Sequence, residues 1–267
     1  MPLFHILTSA IRGYLWPTSK HSATSANLPK WILLSGAVCS GICVALSLAA
    51  ILTVQIAFSR VDRNNHLGLS QDGFHAMSGW AYLTCDLVHV YVIGVFAFWL
   101  ARSLCWEAWL GGTALIIAAL GDFGSLSVNM FLQAPALSAL AHGQSVGTPD
   151  PEAGYDLICS TLNFAQASFA MVGSFFLAGA AVRGQGMARV VGWFLIAGFM
   201  ISIFQIAEIG LHTFWTDLVD DWVTPVGEMA EHLVIAICLW GLFGRKDLYS
   251  DSQSTLQLSK KAVHVAS

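Results

Sequence analysis

The sequence predicts an all-α membrane protein, a bundle of six transmembrane helices with both termini in the cytoplasm. Three observations predict this fold class. Only 10% of the residues are charged and 56% are apolar, whereas a soluble domain carries about a quarter charged residues. Six apolar segments are each long enough to cross a bilayer core, which takes about 20 helical residues. Lysine and arginine are distributed unequally between the two sets of loops.

The six apolar segments make up a single transmembrane domain, residues 31–243. Four of them have tryptophan at an edge, as is typical of the aromatic belt at a membrane interface. In chain order, the predicted spans are Trp31–Phe58, Trp80–Ala101, Trp109–Phe131, Leu157–Val182, Val190–Leu211 and Trp222–Phe243.

Two short segments flank this domain. In residues 1–30, Leu3, Phe4, Leu7 and Ile11 recur at helical spacing, which favours an amphipathic helix lying on the membrane surface. A disordered tail is the alternative for so short a segment. Residues 244–267 form a C-terminal tail, which we expect to be cytoplasmic like residues 1–30.

The basic residues predict the orientation. Ten lie on one side of the predicted membrane and two on the other, and the richer side is cytoplasmic by the positive-inside rule. An even number of spans returns the C-terminus to the side of the N-terminus. These features fit a multi-pass protein of a bacterial inner membrane. The ten residues are Arg12, Lys20, Lys30, Arg102, Arg183, Arg189, Arg245, Lys246, Lys260 and Lys261, and the two are Arg60 and Arg63.

The composition also bounds the partners. The net charge is −4, and without a basic stripe the sequence does not predict nucleic-acid binding. The lipid bilayer is the expected partner. A lipid or small-molecule ligand and other membrane subunits are further candidates.

Polar side chains inside the predicted spans share a similar depth. Counted from the outer ends of the spans, they lie within about 15 Å of the outer surface, and the inner halves of the spans are almost purely apolar. An ionisable group inside a membrane costs about 3 kcal/mol unless it is paired or hydrated. We therefore expect a shared polar cavity that opens toward the extracytoplasmic side. The groups are Gln55, Asp86, His89, Asp122, Asn129, Asn163, Gln166, Gln205, Glu208, His212, Glu228, Glu231 and His232.

Helical spacing brings acids and imidazoles together within this set. Asp86 and His89 lie at i, i+3, and Glu228 and His232 lie at i, i+4, so each pair consists of neighbours on a helix surface. Mixed carboxylate and imidazole ligands suit zinc, iron, copper or manganese. The predicted metal ligands are Asp86, His89, Glu208, His212, Glu228 and His232.

A metal in such a site could activate water for catalysis. Glu228 and Glu231 are then the candidate catalytic residues, as general bases, in a metal-dependent enzyme acting on a lipid or small molecule from the outer leaflet. We expect a second sphere of polar residues around the ligands. It comprises Asp122, Asn163, Gln166 and Gln205.

Three other functions stay open. The polar groups could form a structural or proton-relay network in a non-catalytic subunit or assembly partner, since interhelical polar bonds commonly hold membrane helices together. Haem ranks lower: His89 and His232 could be its axial ligands, although nearby carboxylates disfavour a buried macrocycle. A transporter is disfavoured because the inner halves of the spans lack polar groups.

The six cysteines do not predict a disulfide framework. Cys39 and Cys43 fall in the first span and Cys238 in the last, where free cysteine commonly behaves as a small buried hydrophobe. Only Cys85 and Cys159 lie near outer helix ends, so they form the one pairing that the sequence weakly indicates.

Overall fold

The computed structural model describes residues 28–61, 68–69, 72–103, 106–141, 151–184, 186–211 and 223–244. Six helices within these ranges are long and apolar enough to cross a membrane. The predicted all-α bundle of six spanning helices is therefore confirmed. Its orientation stays a prediction. The predicted surface helix and nearly all of the C-terminal tail lie outside the described residues.

Seven α-helices and one π-helical segment make up the described chain. The π-helical segment, Asn129–Gln133, joins the third helix to the fourth, and together they complete the third span. The α-helices are α1 Lys30–Arg60, α2 Gly73–Ser103, α3 Trp106–Val128, α4 Ala134–Ala141, α5 Pro151–Arg183, α6 Met187–Leu211 and α7 Thr224–Phe243.

Helix α2 begins seven residues before the predicted start at Trp80, because the sequence carries a cap there. The Asp72 side chain accepts hydrogen bonds from the backbone N–H groups of Phe74 (2.8 Å) and His75 (3.2 Å). An aspartate at this position satisfies donors that a helix N-terminus otherwise leaves unpaired. Hydropathy marks where a chain enters the bilayer, and this cap starts the helix outside the apolar segment.

The six spanning helices form a closed ring. Each packs against the next in the order α1, α2, α3, α5, α6, α7, and α7 returns to pack against α1. Since the helices alternate in direction, α1, α3 and α6 begin at the end of the ring where α2, α5 and α7 finish. We call the half of the bundle at this end the apolar half and the other half the polar half.

The apolar half holds the tightly packed core. Its largest fully buried side chains come from the C-terminal parts of α2, α5 and α7 and the N-terminal part of α6. They are Ile93, Phe96, Leu100, Leu177, Leu195, Ile235 and Leu239. This separation of apolar and polar halves is the one that the depths of the polar residues predict.

Two glycines let α3 and α5 touch backbone to backbone. A Cβ atom on Gly111 would stand 2.5 Å from the backbone nitrogen of Leu177 and 2.9 Å from the carbonyl oxygen of Gly173. A Cβ on Gly173 would meet Leu115 in the same way, 2.8 Å from its backbone nitrogen. Small residues at such crossings are typical of membrane helix packing.

The outside of the ring is apolar. Leu52, Phe175, Trp193, Phe204 and Trp240 each expose more than half of their surface. A soluble protein rarely leaves so much contiguous apolar surface in water. The helices therefore contact the lipid bilayer through these side chains.

Candidate functional site

A cavity of about 240 Å³ lies between the helices and reaches into the polar half. Its walls come from α2, α3, α5, α6 and α7. Apolar side chains such as Leu115, Phe194 and Ile201 line part of it. We call it the polar cavity for its remaining lining: Cys85, Asp86, His89, Asp122, Gln166, Ser174, Ser202, Gln205, Thr224, Glu228, Glu231 and His232.

This lining brings together most of the residues that the sequence singled out. Four carboxylates and two imidazoles, from α2, α3 and α7, share the space with the amides of Gln166 and Gln205. The described residues lining the cavity include no lysine or arginine. Like charges repel strongly in a low-dielectric interior, so this arrangement favours a bound cation or shared protons.

Several of the sequence candidates are not found in this lining, among them Gln55 on α1. Asn163 is exposed on α5 and is not among the lining residues, so the structure does not bring it to the others. Asn163 lies three residues before Gln166 on the same helix and at a similar depth. Depth alone therefore could not predict which of the two side chains faces the cavity. Glu208 belongs to α6 but its side chain lies outside the described part, and His212 lies wholly outside it.

Two histidines from different helices meet at the edge of the cavity. His89 Nδ1 on α2 lies 2.7 Å from His232 Nε2 on α7, and His232 Nδ1 lies 2.7 Å from the carbonyl oxygen of Glu228. Because a carbonyl oxygen only accepts, Nδ1 of His232 carries the hydrogen of this bond. For neutral rings, His232 Nε2 then accepts from the Nδ1–H of His89. His89 is left with a lone pair on Nε2, the form in which imidazole binds a metal.

One carboxylate in the cavity is incompletely satisfied. Asp86 Oδ2 is buried and has no hydrogen-bond partner among the described residues. An unsatisfied buried acceptor costs about 1–3 kcal/mol, and more when it is charged. Such an atom in a polar cavity is able to accept a hydrogen bond or to bind a cation.

A second group of candidate ligands lies beside the histidine pair. Cys43 on α1, Cys85 on α2 and His232 on α7 are all buried, and their ligand atoms lie within 4.8 Å of one another. We call these three residues the cysteine–histidine group. Cys85 and His232 also line the polar cavity. This group could hold a metal ion.

Polar contacts position this group. Ser47 Oγ lies 3.5 Å from Cys85 Sγ, and Ser40 Oγ donates a 2.7 Å hydrogen bond to the carbonyl oxygen of His232. Each thiol of the pair also approaches the other cysteine's carbonyl oxygen, at 3.7 Å and 3.8 Å. Helices α1, α2 and α7 are therefore joined by polar contacts at this level.

This group was not predicted from the sequence, because a free cysteine such as Cys43 in an apolar span was interpreted as a small hydrophobe. A signal was present. Gly36, Ser40, Cys43 and Ser47 follow one another at helical spacings of four, three and four, and all are buried. A stripe of small and polar residues commonly marks the face that a membrane helix turns toward its neighbours. The weakly indicated bridge between Cys85 and Cys159 is not formed, since both are free.

No family model matches the chain, and no match was found among curated proteins or solved structures. The function is therefore inferred from the site alone.

Proposed function

We propose that this protein binds a divalent transition-metal ion inside the membrane, in the polar cavity of its six-helix bundle. One observation carries the proposal. Four carboxylates and two imidazoles from three helices line a single cavity that receives no lysine or arginine from the described chain. A cation offsets the repulsion among these carboxylates and supplies a partner for the Asp86 oxygen.

The proposed ligands come from the predicted set. Asp86 and His89 on α2 and Glu228 and His232 on α7 line the cavity, and carboxylate and imidazole together suit zinc, iron, copper or manganese. Glu208 and His212 stay predicted ligands. Residues around the ligands then orient them, as second-sphere groups generally do. This role is proposed for Asp122, Gln166 and Gln205, the last of which donates a 3.3 Å hydrogen bond to Thr224 Oγ1 across α6 and α7.

We further propose that the bound metal ion serves in catalysis. Glu228 and Glu231, the predicted general bases, both line the cavity next to the proposed ligands. A lipid or small molecule reaching the cavity from the outer leaflet is the proposed substrate class. Location in a bacterial inner membrane stays a prediction, as does the N-in, C-in orientation.

Haem fits this geometry poorly. Two axial imidazoles stand on opposite sides of an iron porphyrin, with an iron–nitrogen bond of about 2 Å on each side, comparable to other metal–imidazole bonds. His89 and His232 instead meet directly, with 2.7 Å between their nearest nitrogens. We therefore do not propose haem as the cofactor.

A second candidate function has its own support. The hydrogen bonds from His89 to His232 and from His232 to the Glu228 carbonyl oxygen connect α2 to α7, which are not neighbours in the chain. This geometry also suits a structural or proton-relay network in a subunit of a membrane complex. Such a network needs no metal.

Elemental analysis of the full-length protein, purified in detergent, separates the two functions. We expect stoichiometric metal in the wild type and a loss of most of it in Asp86→Asn and Glu228→Gln, which each remove a proposed ligand. Asn163→Ala is the matched control, because this polar residue lies in a spanning helix outside the cavity. A metal-free wild type, even after incubation with zinc, iron, copper and manganese, would overturn the proposal. The structural function then gains support if His89→Phe lowers the free energy of unfolding.

A further inference from the structure

We infer that the ion is zinc, or another divalent ion with affinity for sulfur, and that the thiolates of Cys43 and Cys85 bind it together with His232. This inference rests on the proposed function and narrows it. It names the class of metal, and it assigns thiolate sulfur atoms, rather than carboxylate oxygen atoms, as the metal ligands beside the imidazole. It also brings α1 into the site, although α1 contributes no residue to the lining of the polar cavity.

The distances suit a metal ion. Three atoms within 4.8 Å of one another enclose a point at most about 2.8 Å from each, compared with zinc–sulfur bonds of about 2.3 Å and zinc–nitrogen bonds of about 2.0 Å. Each ligand atom therefore moves by less than about 1 Å to close the site, which side-chain rotation can supply. The three residues come from three helices, so the bound ion would connect α1, α2 and α7.

The charges also suit a divalent ion. Two thiolates and a neutral imidazole carry a charge of −2, which a divalent cation neutralises. Neutrality matters here because all three residues are buried among membrane-spanning helices, where net charge is costly. Thiolate ligands favour zinc over manganese or magnesium, which prefer oxygen. The two protons released on binding leave the thiols for solvent.

The surroundings of His232 are those of a metal ligand. Its Nδ1–H donates to the Glu228 carbonyl oxygen, and ligating histidines typically donate their second nitrogen to a carbonyl or carboxylate in this way. Nε2 is the atom left to coordinate. On metal binding it gives up the hydrogen bond from His89, whose ring is then free to turn toward the cavity. The hydroxyl of Ser47, 3.5 Å from Cys85 Sγ, can donate to the thiolate.

The fourth coordination position faces the polar cavity. Cys85 and His232 line that cavity whereas Cys43 lies behind them on α1. Zinc held by three protein ligands with one open position is the arrangement of catalytic zinc sites, and two cysteines with one histidine is one of the ligand sets that occur there. The carboxylates of Asp86 and Glu228 then surround the open position as acceptors rather than as primary ligands.

Cobalt(II) titration of the full-length protein in detergent tests this inference, because cobalt replaces zinc and thiolate ligation gives a charge-transfer absorption in the near ultraviolet. We expect the band in the wild type and in Cys39→Ser and Cys238→Ser, which change free cysteines outside the group. Cys43→Ser and Cys85→Ser each leave one thiolate, so each should lose about half of the band's intensity and bind zinc more than about tenfold more weakly, and the double variant should lose the band.

The possible results distinguish this inference from the proposed function. Cobalt that binds without a thiolate band, and is lost in Asp86→Asn but not in Cys43→Ser, overturns the inference and leaves the proposed function standing. A band of undiminished intensity in both single cysteine variants, or one that persists in the double variant, also overturns the inference. Absence of cobalt and zinc binding overturns the inference, and absence of iron, copper and manganese binding as well overturns the proposed function.

A second measurement avoids reliance on the folding of the variants. Zinc should protect Cys43 and Cys85 of the wild-type protein from alkylation, as mapped by mass spectrometry, and leave the reactivity of Cys39 unchanged. Equal alkylation of Cys43 and Cys85 with and without zinc contradicts the inference.

Discussion

Replacement of Gly111 by alanine tests the crossing of α3 and α5 on which the ring depends. The new Cβ would stand 2.5 Å from the backbone nitrogen of Leu177 and 2.9 Å from the carbonyl oxygen of Gly173, distances that real Cβ atoms do not show. Because both partners are backbone atoms, no side-chain rotation relieves the contact. The two helices must move apart by about 0.9 Å to reach an ordinary separation of 3.4 Å.

The magnitude follows from two opposing effects. Overpacking a close-packed interface costs about 1–3 kcal/mol, and the backbone location of this contact favours the upper part of that range. Alanine in place of glycine inside a helix recovers up to about 1 kcal/mol. We therefore expect Gly111→Ala to lower the free energy of unfolding by about 1–2 kcal/mol.

Gly179→Ala on α5 is the matched control. Nothing lies within 4 Å of its Cβ position, so only the helix-propensity gain of up to about 1 kcal/mol applies. The two variants should differ by about 2–3 kcal/mol in unfolding titrations with mixed detergent and SDS micelles. If Gly111→Ala is as stable as Gly179→Ala, the backbone-to-backbone crossing of α3 and α5 is refuted.

Two further predictions concern the start of α2 and the topology. Asp72→Ala should destabilise the protein by about 1 kcal/mol in the same titration, because the backbone donors of Phe74 and His75 lose their acceptor. Asp72→Asn keeps an acceptor and should lose no more than about half of that stability. Equal effects of the two substitutions would count against the cap. The ten-to-two distribution of basic residues predicts a cytoplasmic C-terminus. A fluorescent protein fused after residue 267 should therefore be fluorescent, and alkaline phosphatase fused there should be inactive. The opposite pattern of activities would contradict the predicted orientation.

The candidate site shows how far a sequence alone can predict a membrane cavity. Asp86 and His89, or Glu228 and His232, can be paired on one helix because helical spacing fixes which residues share a face. Their depth can be estimated from the distance to the end of an apolar segment. These two quantities sufficed to predict that acids and imidazoles from separate spans meet, and the cavity lined by Asp86, His89, Asp122, Gln166, Gln205, Glu228, Glu231 and His232 has that composition.

The rotation of each helix about its own axis was not predictable in this way. Asn163 and Gln166 lie on one helix at i, i+3 and at similar depth, yet Gln166 lines the cavity and Asn163 is exposed. Conversely, the sequence pattern around Cys43 is that of an ordinary apolar span. Only the packing of α1 against α7 places this residue beside His232. Both results depend on which neighbour a helix face meets.

Composition and hydropathy alone determined that this chain folds as six spanning helices with polar groups concentrated in one half, because the bilayer requires long apolar segments whose backbone groups are satisfied within each helix. Only the tertiary structure decided which of those polar groups meet. Helix rotation and partner choice are set by side-chain packing between surfaces, as where Gly111 admits the backbone of α5, and such contacts involve residues far apart in the chain that no local pattern relates.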